Sequence, residues 1–326
     1  VGVLAAVGVG WTAACVAQPE LLGAESLFSV RLLTALLGAL LFGGVGLLED
    51  LARIRSRSVL GQRRHTRLGL EAAAGAVVLV LLGARGCLAA GITLPGVGYV
   101  DLGIAAPLLW EGLLVALAEC ARIADGMDGI VCGTSFAAML GLMGVMTLLG
   151  WFPLGVLPAA LAGALMAFLL WNFPPAKLRL GSVGSLFLAG ALGCIPLCIG
   201  WPDLALLLGA ALLAGGRDGV LTDRDLQALP RAEAAFSAPR RSIAGWKCGA
   251  AAAYKLFYAF CAAALLGAAL ALQWAKSVEE VLHMATVPPK KIRVGFTPFA
   301  AGSPARGRRF CCTGWRPWAS SWCSAS

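Results

Sequence analysis

Long apolar runs with few charges repeat along the chain and leave little choice of fold. A helix needs about 20 predominantly apolar residues to cross a hydrocarbon core about 30 Å thick. Within lipid each backbone polar group must be satisfied inside its own segment, so such runs form helices. The runs are Val1–Val16, Leu32–Leu48, Leu68–Ala84, Leu102–Ala118, Ile130–Phe152, Leu154–Trp171, Val183–Gly200, Leu204–Gly215 and Gly249–Trp274. We therefore predict an all-α, polytopic transmembrane helical bundle with about nine membrane segments.

The charged residues support a membrane protein and exclude a nucleic-acid-binding one. Only 13% of the residues are charged, against about 25% in an ordinary soluble domain. The net charge is +9, but the basic residues collect in alternate loops, mainly 49–67, 172–182 and 216–248. This asymmetry follows the positive-inside rule and predicts that these loops are cytoplasmic.

Residues 1–275 form the predicted membrane domain, and residues 276–326 form an irregular basic tail. The short run Leu204–Gly215 is interpreted as a re-entrant segment or as half of a broken helix. From about Val287 the sequence is rich in basic, Trp and Cys residues without a hydrophobic period. Two interpretations of this end stay open, a disordered tail and a frame-shifted sequence. The 11 cysteines lack metal-ligand spacing, so neither zinc nor disulfides are assigned.

Carboxylates gather where several apolar runs end. Glu49 and Asp50 end one run, Asp125 and Asp128 follow another, and Asn172 ends a third. Counting spans from the basic loop places all of them at the cytoplasmic surface. Since an acid costs roughly 2.5–3.5 kcal/mol at the centre of a membrane helix, the surface is the favourable place. Such a cluster suits Mg²⁺, which takes one or two carboxylates together with substrate phosphates; the alternative is a set of solvated helix caps.

Four motifs in a fixed order identify a family resemblance. They are Gly46–Asp50, Arg122–Gly129, Trp171–Lys177 and Leu180–Leu186. This order resembles that of the polyprenyl-phosphate N-acetylhexosamine-1-phosphate transferases. Segments Tyr99–Gly103 and Gly190–Gly193 are similar to one branch of that family, the phospho-N-acetylmuramoyl-pentapeptide transferases. The resemblance covers roughly residues 1–200 and implies that the first helix of the family is missing.

The resemblance implies an enzyme of the bacterial plasma membrane whose site faces the cytoplasm. It would transfer phospho-N-acetylmuramoyl-pentapeptide from its UDP carrier to undecaprenyl phosphate, with Mg²⁺ as cofactor, to make a lipid precursor of peptidoglycan. Membrane lipids and a second copy of the chain, in a homodimer, are further expected partners. No nucleic acid is expected.

The same resemblance implies roles for individual side chains. The catalytic acids would be Glu49, Asp50, Asp125 and Asp128. The substrate-binding side chains would be Arg53, Arg67, Asn172 and Lys177. The metal ligands would be Asp50 and Asp125.

Five positions depart from the family pattern. Ser182 stands where the family places an Asp that binds Mg²⁺, and a hydroxyl is a much weaker ligand for this cation. Glu49 replaces the first Asp of the acidic pair, and Arg179 stands where an apolar or aromatic side chain is usual. Glu119 and Arg122 replace Asn, and their spacing predicts an ion pair within one helix.

These departures keep other functions open. One alternative is a non-catalytic paralogue that binds polyprenyl phosphate or a cell-wall partner. Another is the sibling transferase that uses UDP-N-acetylglucosamine. A transporter is disfavoured, since its acids would lie near the membrane midplane rather than at one surface.

Overall fold

The computed structural model describes residues 9, 12, 27–56, 64–94, 98–227 and 250–286. Most of the predicted first run, the loop at 228–249 and the tail from residue 287 lie outside the described residues. Contacts divide the chain after Ala285. The first unit contains the helical bundle, and the predicted all-α fold is confirmed.

Eight helices account for nearly all of the described chain. Their bounds are α1 Leu27–Ser56, α2 Arg64–Ala84, α3 Ala105–Ala124, α4 Ile130–Leu148, α5 Phe152–Asn172, α6 Gly181–Ile199, α7 Asp203–Gln227 and α8 Ala250–Thr286. The last helix continues past the predicted domain boundary at residue 275.

Six of these helices are long and apolar enough to cross a membrane: α1, α2, α4, α5, α6 and α8. The predicted number of about nine is therefore not reached within the described ranges. Helix α3 carries three charged residues, Glu111, Glu119 and Arg122, so its composition alone does not mark it as a span. Only Asp203–Gly215 of α7 is apolar, and it is too short.

Two further features differ from the sequence prediction. Strands β1 (Gly91–Leu94) and β2 (Gly98–Asp101) form an antiparallel pair within the predicted loop between α2 and α3. Helix α7 continues to Gln227, into the segment 216–248 that the sequence predicts to be a loop. No proline interrupts this polar stretch before Pro230, so the helix extends beyond its apolar part.

Contacts between helices bring one set of helix ends together. Near one end of the bundle, Gly46 of α1 lies against Ser182 of α6, and towards the other end Gly38 lies against Cys194. These two helices are therefore antiparallel. The end that contains Gly46 and Ser182 also contains the predicted acidic residues, and we call it the acidic end.

The opposite end carries a cluster of three tryptophans. The rings of Trp151 and Trp201 lie 5.8 Å apart, and those of Trp201 and Trp274 lie 4.6 Å apart. Tryptophan is enriched at membrane–water interfaces because its ring is apolar and its N–H is polar. The cluster therefore indicates where the bundle meets the membrane surface away from the acidic end.

Small residues allow the backbones of α1 and α6 to touch. A Cβ added at Gly46 would overlap the backbone carbonyl of Ser182. One at Gly190 would lie 2.8 Å from Cβ of Phe42. Glycine at such crossings permits close packing of membrane helices, and here it sets the separation of the two helices that border the acidic end.

Gly46→Ala is expected to destabilise the bundle by roughly 1–3 kcal/mol, because the added methyl forces α1 and α6 apart. Gly44→Ala is the matched control, since nothing lies within 4 Å of its added Cβ and alanine favours helix by about 1 kcal/mol. Thermal unfolding in detergent should show a lower midpoint for the first variant only. Equal midpoints would contradict the packing argument.

Candidate active site at the acidic end

The end of α1 meets the start of α6 at the centre of the site. Asp50 lies on the last turns of α1, and its Oδ2 is 3.7 Å from the position of a Cβ at Gly181. Gly181 has a φ of 76°, a left-handed conformation that glycine adopts readily. This geometry lets the first turn of α6 approach the carboxylate of Asp50 closely.

Arg53 links the acids of α1 to Ser182 of α6. Its guanidinium pairs with Glu49, and it donates to Asp50 Oδ1 at 3.4 Å and to Ser182 Oγ at 3.2 Å. The side chain is 37% exposed. Arg53 is therefore both held by protein oxygens and reachable by a ligand.

Arg67 is buried and faces three carboxylates from three helices. Its Nε donates to Glu119 Oε1 of α3 at 2.9 Å and lies 3.8 Å from Glu71 Oε1 of α2. Its Nη1 lies 4.0 Å from Glu49 Oε1 of α1. The guanidinium is thus turned towards protein acids, which makes Arg67 a link between helices. A contact of Arg67 with substrate stays a prediction.

The predicted ion pair between Glu119 and Arg122 is confirmed. Arg122 Nη2 donates to Glu119 Oε2 at 2.6 Å. Because the other oxygen of Glu119 accepts from Arg67, the two arginines share one carboxylate. The pair therefore extends the Arg67 contacts along α3 towards Asp125.

Asp125 follows the last residue of α3 and faces α6. Burial raises the pKa of Asp125 to about 6; Arg179 and a hydrogen bond from the backbone N–H of Gly181 act in the opposite direction, and the negative charge of Asp50 raises it further. Asp50 and Asp125 are therefore close enough to repel each other. A cation between them would relieve this repulsion.

The loop between α5 and α6 closes over the segment between α3 and α4. The backbone N–H of Ala176 donates to Asp128 Oδ2 at 3.2 Å, and Arg179 Nη2 donates to the carbonyl of Asp125 at 2.7 Å. Asn172 Nδ2 donates to the carbonyl of Leu178 at 2.7 Å. Asp128 and Asn172 thus shape the loop as well as the site.

Lys177 lies apart from the acids. Its Nζ is 5.7 Å from the centre of the Trp171 ring, and its side chain is exposed. The structure therefore brings Glu49, Asp50 and Arg53 of α1 near Asp125, which follows α3. Lys177 instead lies beside an aromatic neighbour.

The described residues contain no group of three or more His, Cys, Asp or Glu side chains that could hold a metal ion. The donors at the acidic end are the mutually repelling carboxylates of Asp50 and Asp125. This pair matches what Mg²⁺ needs when substrate phosphates complete its coordination. The residues present thus fit a metal that arrives with its substrate.

Glu71 is a buried acid that the sequence analysis did not identify. Its residue is 0% exposed, and neither side-chain oxygen has a hydrogen-bond partner within the described chain. Its position four residues after Arg67 in an apolar helix was the available signal. Its link through Arg67 to Glu119 on another helix left no trace in the local pattern.

Comparison with known proteins finds a family that fits this geometry. The sequence pattern of glycosyl transferase family 4 matches residues 32–200, just over half of the chain. That range contains the predicted acids and the end of α1, the start of α6 and the loop that joins α5 to α6.

Similar relatives are named phospho-N-acetylmuramoyl-pentapeptide-transferase. The protein of Synechococcus sp. (strain RCC307) is 35% identical over 192 residues, which cover 56% of this chain and 52% of that protein. The protein of Moorella thermoacetica is 36% identical over 155 residues, which cover 46% and 47%. The protein of Halalkalibacterium halodurans is 29% identical over 194 residues, or 58% of each. The chain thus spans about half the length of the curated relatives it matches.

Arg67→Met is expected to lower the free energy of unfolding by about 3–5 kcal/mol, because it leaves the carboxylates of Glu49, Glu71 and Glu119 without their shared cation. Arg55→Met provides a control on the exposed surface of α1, where the change should be small. Unfolding midpoints in detergent measure the difference. If the two variants unfold alike, the buried charge network does not hold the helices together.

Proposed function

The chain belongs to glycosyl transferase family 4, and from this premise we propose that it transfers phospho-N-acetylmuramoyl-pentapeptide from its UDP carrier to undecaprenyl phosphate. An oxygen of the lipid phosphate bonds to the phosphorus next to the sugar. The bond between that phosphorus and the bridging oxygen of the departing UMP breaks. The names of the relatives support this choice of donor.

The observation that carries the proposal is the convergence of Asp50, Arg53 and Asp125 at one end of the bundle. Phosphoryl transfer requires positioning and charge stabilisation more than covalent chemistry by the protein. The partly exposed side chain of Arg53 provides a cation for phosphate oxygens. The carboxylates of Asp50 and Asp125 provide anions for a metal. This arrangement suits a reaction between two phosphate-bearing substrates.

Each residue of this group has a distinct proposed role. Arg53 binds a phosphate oxygen of a substrate in place of its contact with Ser182. Asp50 orients the attacking lipid phosphate. Mg²⁺, which we propose as the cofactor, would be held by Asp50 and Asp125 and would supply neutralisation of phosphate charge.

Asp128, Asn172 and Arg179 maintain the shape of the loop beside the proposed donor site. Their hydrogen bonds hold the loop between α5 and α6 against the segment after α3. A fixed loop keeps the donor oriented, and orientation is a large part of catalysis in a two-substrate reaction. The proposed site faces the cytoplasm of a bacterial plasma membrane, and a homodimer stays a prediction.

A second candidate function is binding of polyprenyl phosphate without turnover. The hydrogen bond from Arg53 to Ser182 favours it. At the position of Ser182 a third carboxylate would strengthen a metal site, and the serine accepts from a guanidinium instead. Such a protein would hold the lipid phosphate through Arg53 alone, and chelation of divalent cations would leave binding unchanged.

Purified protein should release UMP when it is given UDP-linked muramoyl pentapeptide, undecaprenyl phosphate and Mg²⁺. Asp125→Asn should reduce this rate by about a hundredfold or more, because positioned electrostatic groups contribute factors of this size. Asp101→Asn, an exposed change on β2, should leave it unchanged. EDTA should stop the reaction, and added Mg²⁺ should restore it.

Other outcomes distinguish the alternatives. UMP release with UDP-N-acetylglucosamine but not with the muramoyl donor would identify the sibling activity. Binding of undecaprenyl phosphate in EDTA, with no UMP from either donor, would identify the non-catalytic paralogue. Either result would overturn the proposed reaction.

Ser182→Asp should raise the rate of UMP release by about tenfold or more, because it adds a carboxylate on α6 facing Asp50 and Arg53, and carboxylates are strong ligands for Mg²⁺. Ser182→Asn is the matched control, with similar size and no charge. The measurement is the initial rate as a function of Mg²⁺ concentration. Equal rates in the two variants would show that Ser182 does not limit a metal site.

A further inference from the structure

A buried arginine lies at the end of the bundle opposite the acidic end. Arg31 is in the first turns of α1 and is only 6% exposed. Asp50, at the acidic end, follows it by 19 residues on the same helix. At 1.5 Å per residue this separates them by about 29 Å along α1, close to the thickness of a hydrocarbon core. Arg31 therefore lies at the far edge of the membrane.

The surroundings of Arg31 are apolar. It lines a small pocket between α1, α5 and α6, and the other lining residues are Leu32, Ala35, Leu154, Leu157, Ile195, Cys198 and Ile199. Among the described residues that line this pocket, Arg31 is the one that carries a charge.

Arg31 lacks a protein counter-ion in the part of the chain that the structure describes. None of the ion pairs there includes it, and its Nε is buried without a hydrogen-bond partner. A charge in apolar surroundings is unfavourable, and the buried Nε of Arg31 has no partner. An anion that reaches the rest of this guanidinium would therefore stabilise it.

We infer that this pocket binds the phosphate group of a membrane phospholipid from the leaflet opposite the acidic end. A phosphate matches the planar fork of a guanidinium, which donates two parallel hydrogen bonds to it. The leucine and isoleucine side chains around Arg31 offer an apolar surface to the first methylenes of an acyl chain but nothing to a small soluble anion. Position, charge and lining thus point to the same class of ligand, independently of the reaction at the acidic end.

Native mass spectrometry of protein reconstituted with equal amounts of phosphatidylglycerol and diacylglycerol tests this site. The native protein should retain phosphatidylglycerol in preference to diacylglycerol, which lacks a phosphate. Arg31→Gln should lower the apparent affinity for phosphatidylglycerol by about tenfold, since a charge-assisted hydrogen bond is lost. The affinity of Arg31→Lys for phosphatidylglycerol should lie between those of the native protein and Arg31→Gln, because lysine keeps the charge but lacks the planar guanidinium.

Arg85→Gln is the matched control, because Arg85 follows α2 at the same end of the bundle but is exposed. It should retain phosphatidylglycerol as the native protein does. Equal retention of the two lipids by the native protein would overturn the inference without any variant. Retention by Arg31→Gln that equals the native level would overturn it as well.

Discussion

The contact between the backbones of α1 and α6 at Gly46 is the constraint on which the acidic end depends. Because no side chain separates the two helices there, Ser182 comes within reach of Arg53 and Gly181 comes close to Asp50. Neither Gly46–Asp50 nor Leu180–Leu186 is a site by itself, since the first lies near the end of a helix and the second at the start of one. Their meeting is a property of helix packing, and packing among small residues is what drives association of helices in lipid.

Charge at this end is balanced through contacts between helices rather than along them. Arg67 holds acids of α1, α2 and α3, and Arg53 joins α1 to α6. Buried pairs of this kind contribute less to net stability than to a defined arrangement, because desolvation offsets much of their attraction. The half-exposed Arg53 is the member of this network best placed to exchange a protein oxygen for a phosphate.

The sequence predicted features that depend on local pattern. Apolar runs predicted most helices, alternate basic loops predicted which helix ends lie together, and i,i+3 spacing predicted the pair of Glu119 with Arg122. Features that depend on three-dimensional packing were missed. The bond from Arg67 to Glu119 joins residues of two helices, the burial of Glu71 depends on a neighbouring helix, and the extension of α7 to Gln227 continues a helix through polar residues that resemble a loop.

The cluster of Trp151, Trp201 and Trp274, whose rings meet at tilted and edge-on angles, has a consequence for the position of the protein in lipid. They come from the residue before α5, from the turn before α7 and from α8, so three parts of the chain are anchored at one headgroup layer. A bundle held in this way resists sliding along the bilayer normal. Because the helices connect the two ends of the bundle rigidly, the acidic end is held at a fixed depth on the other side of the bilayer.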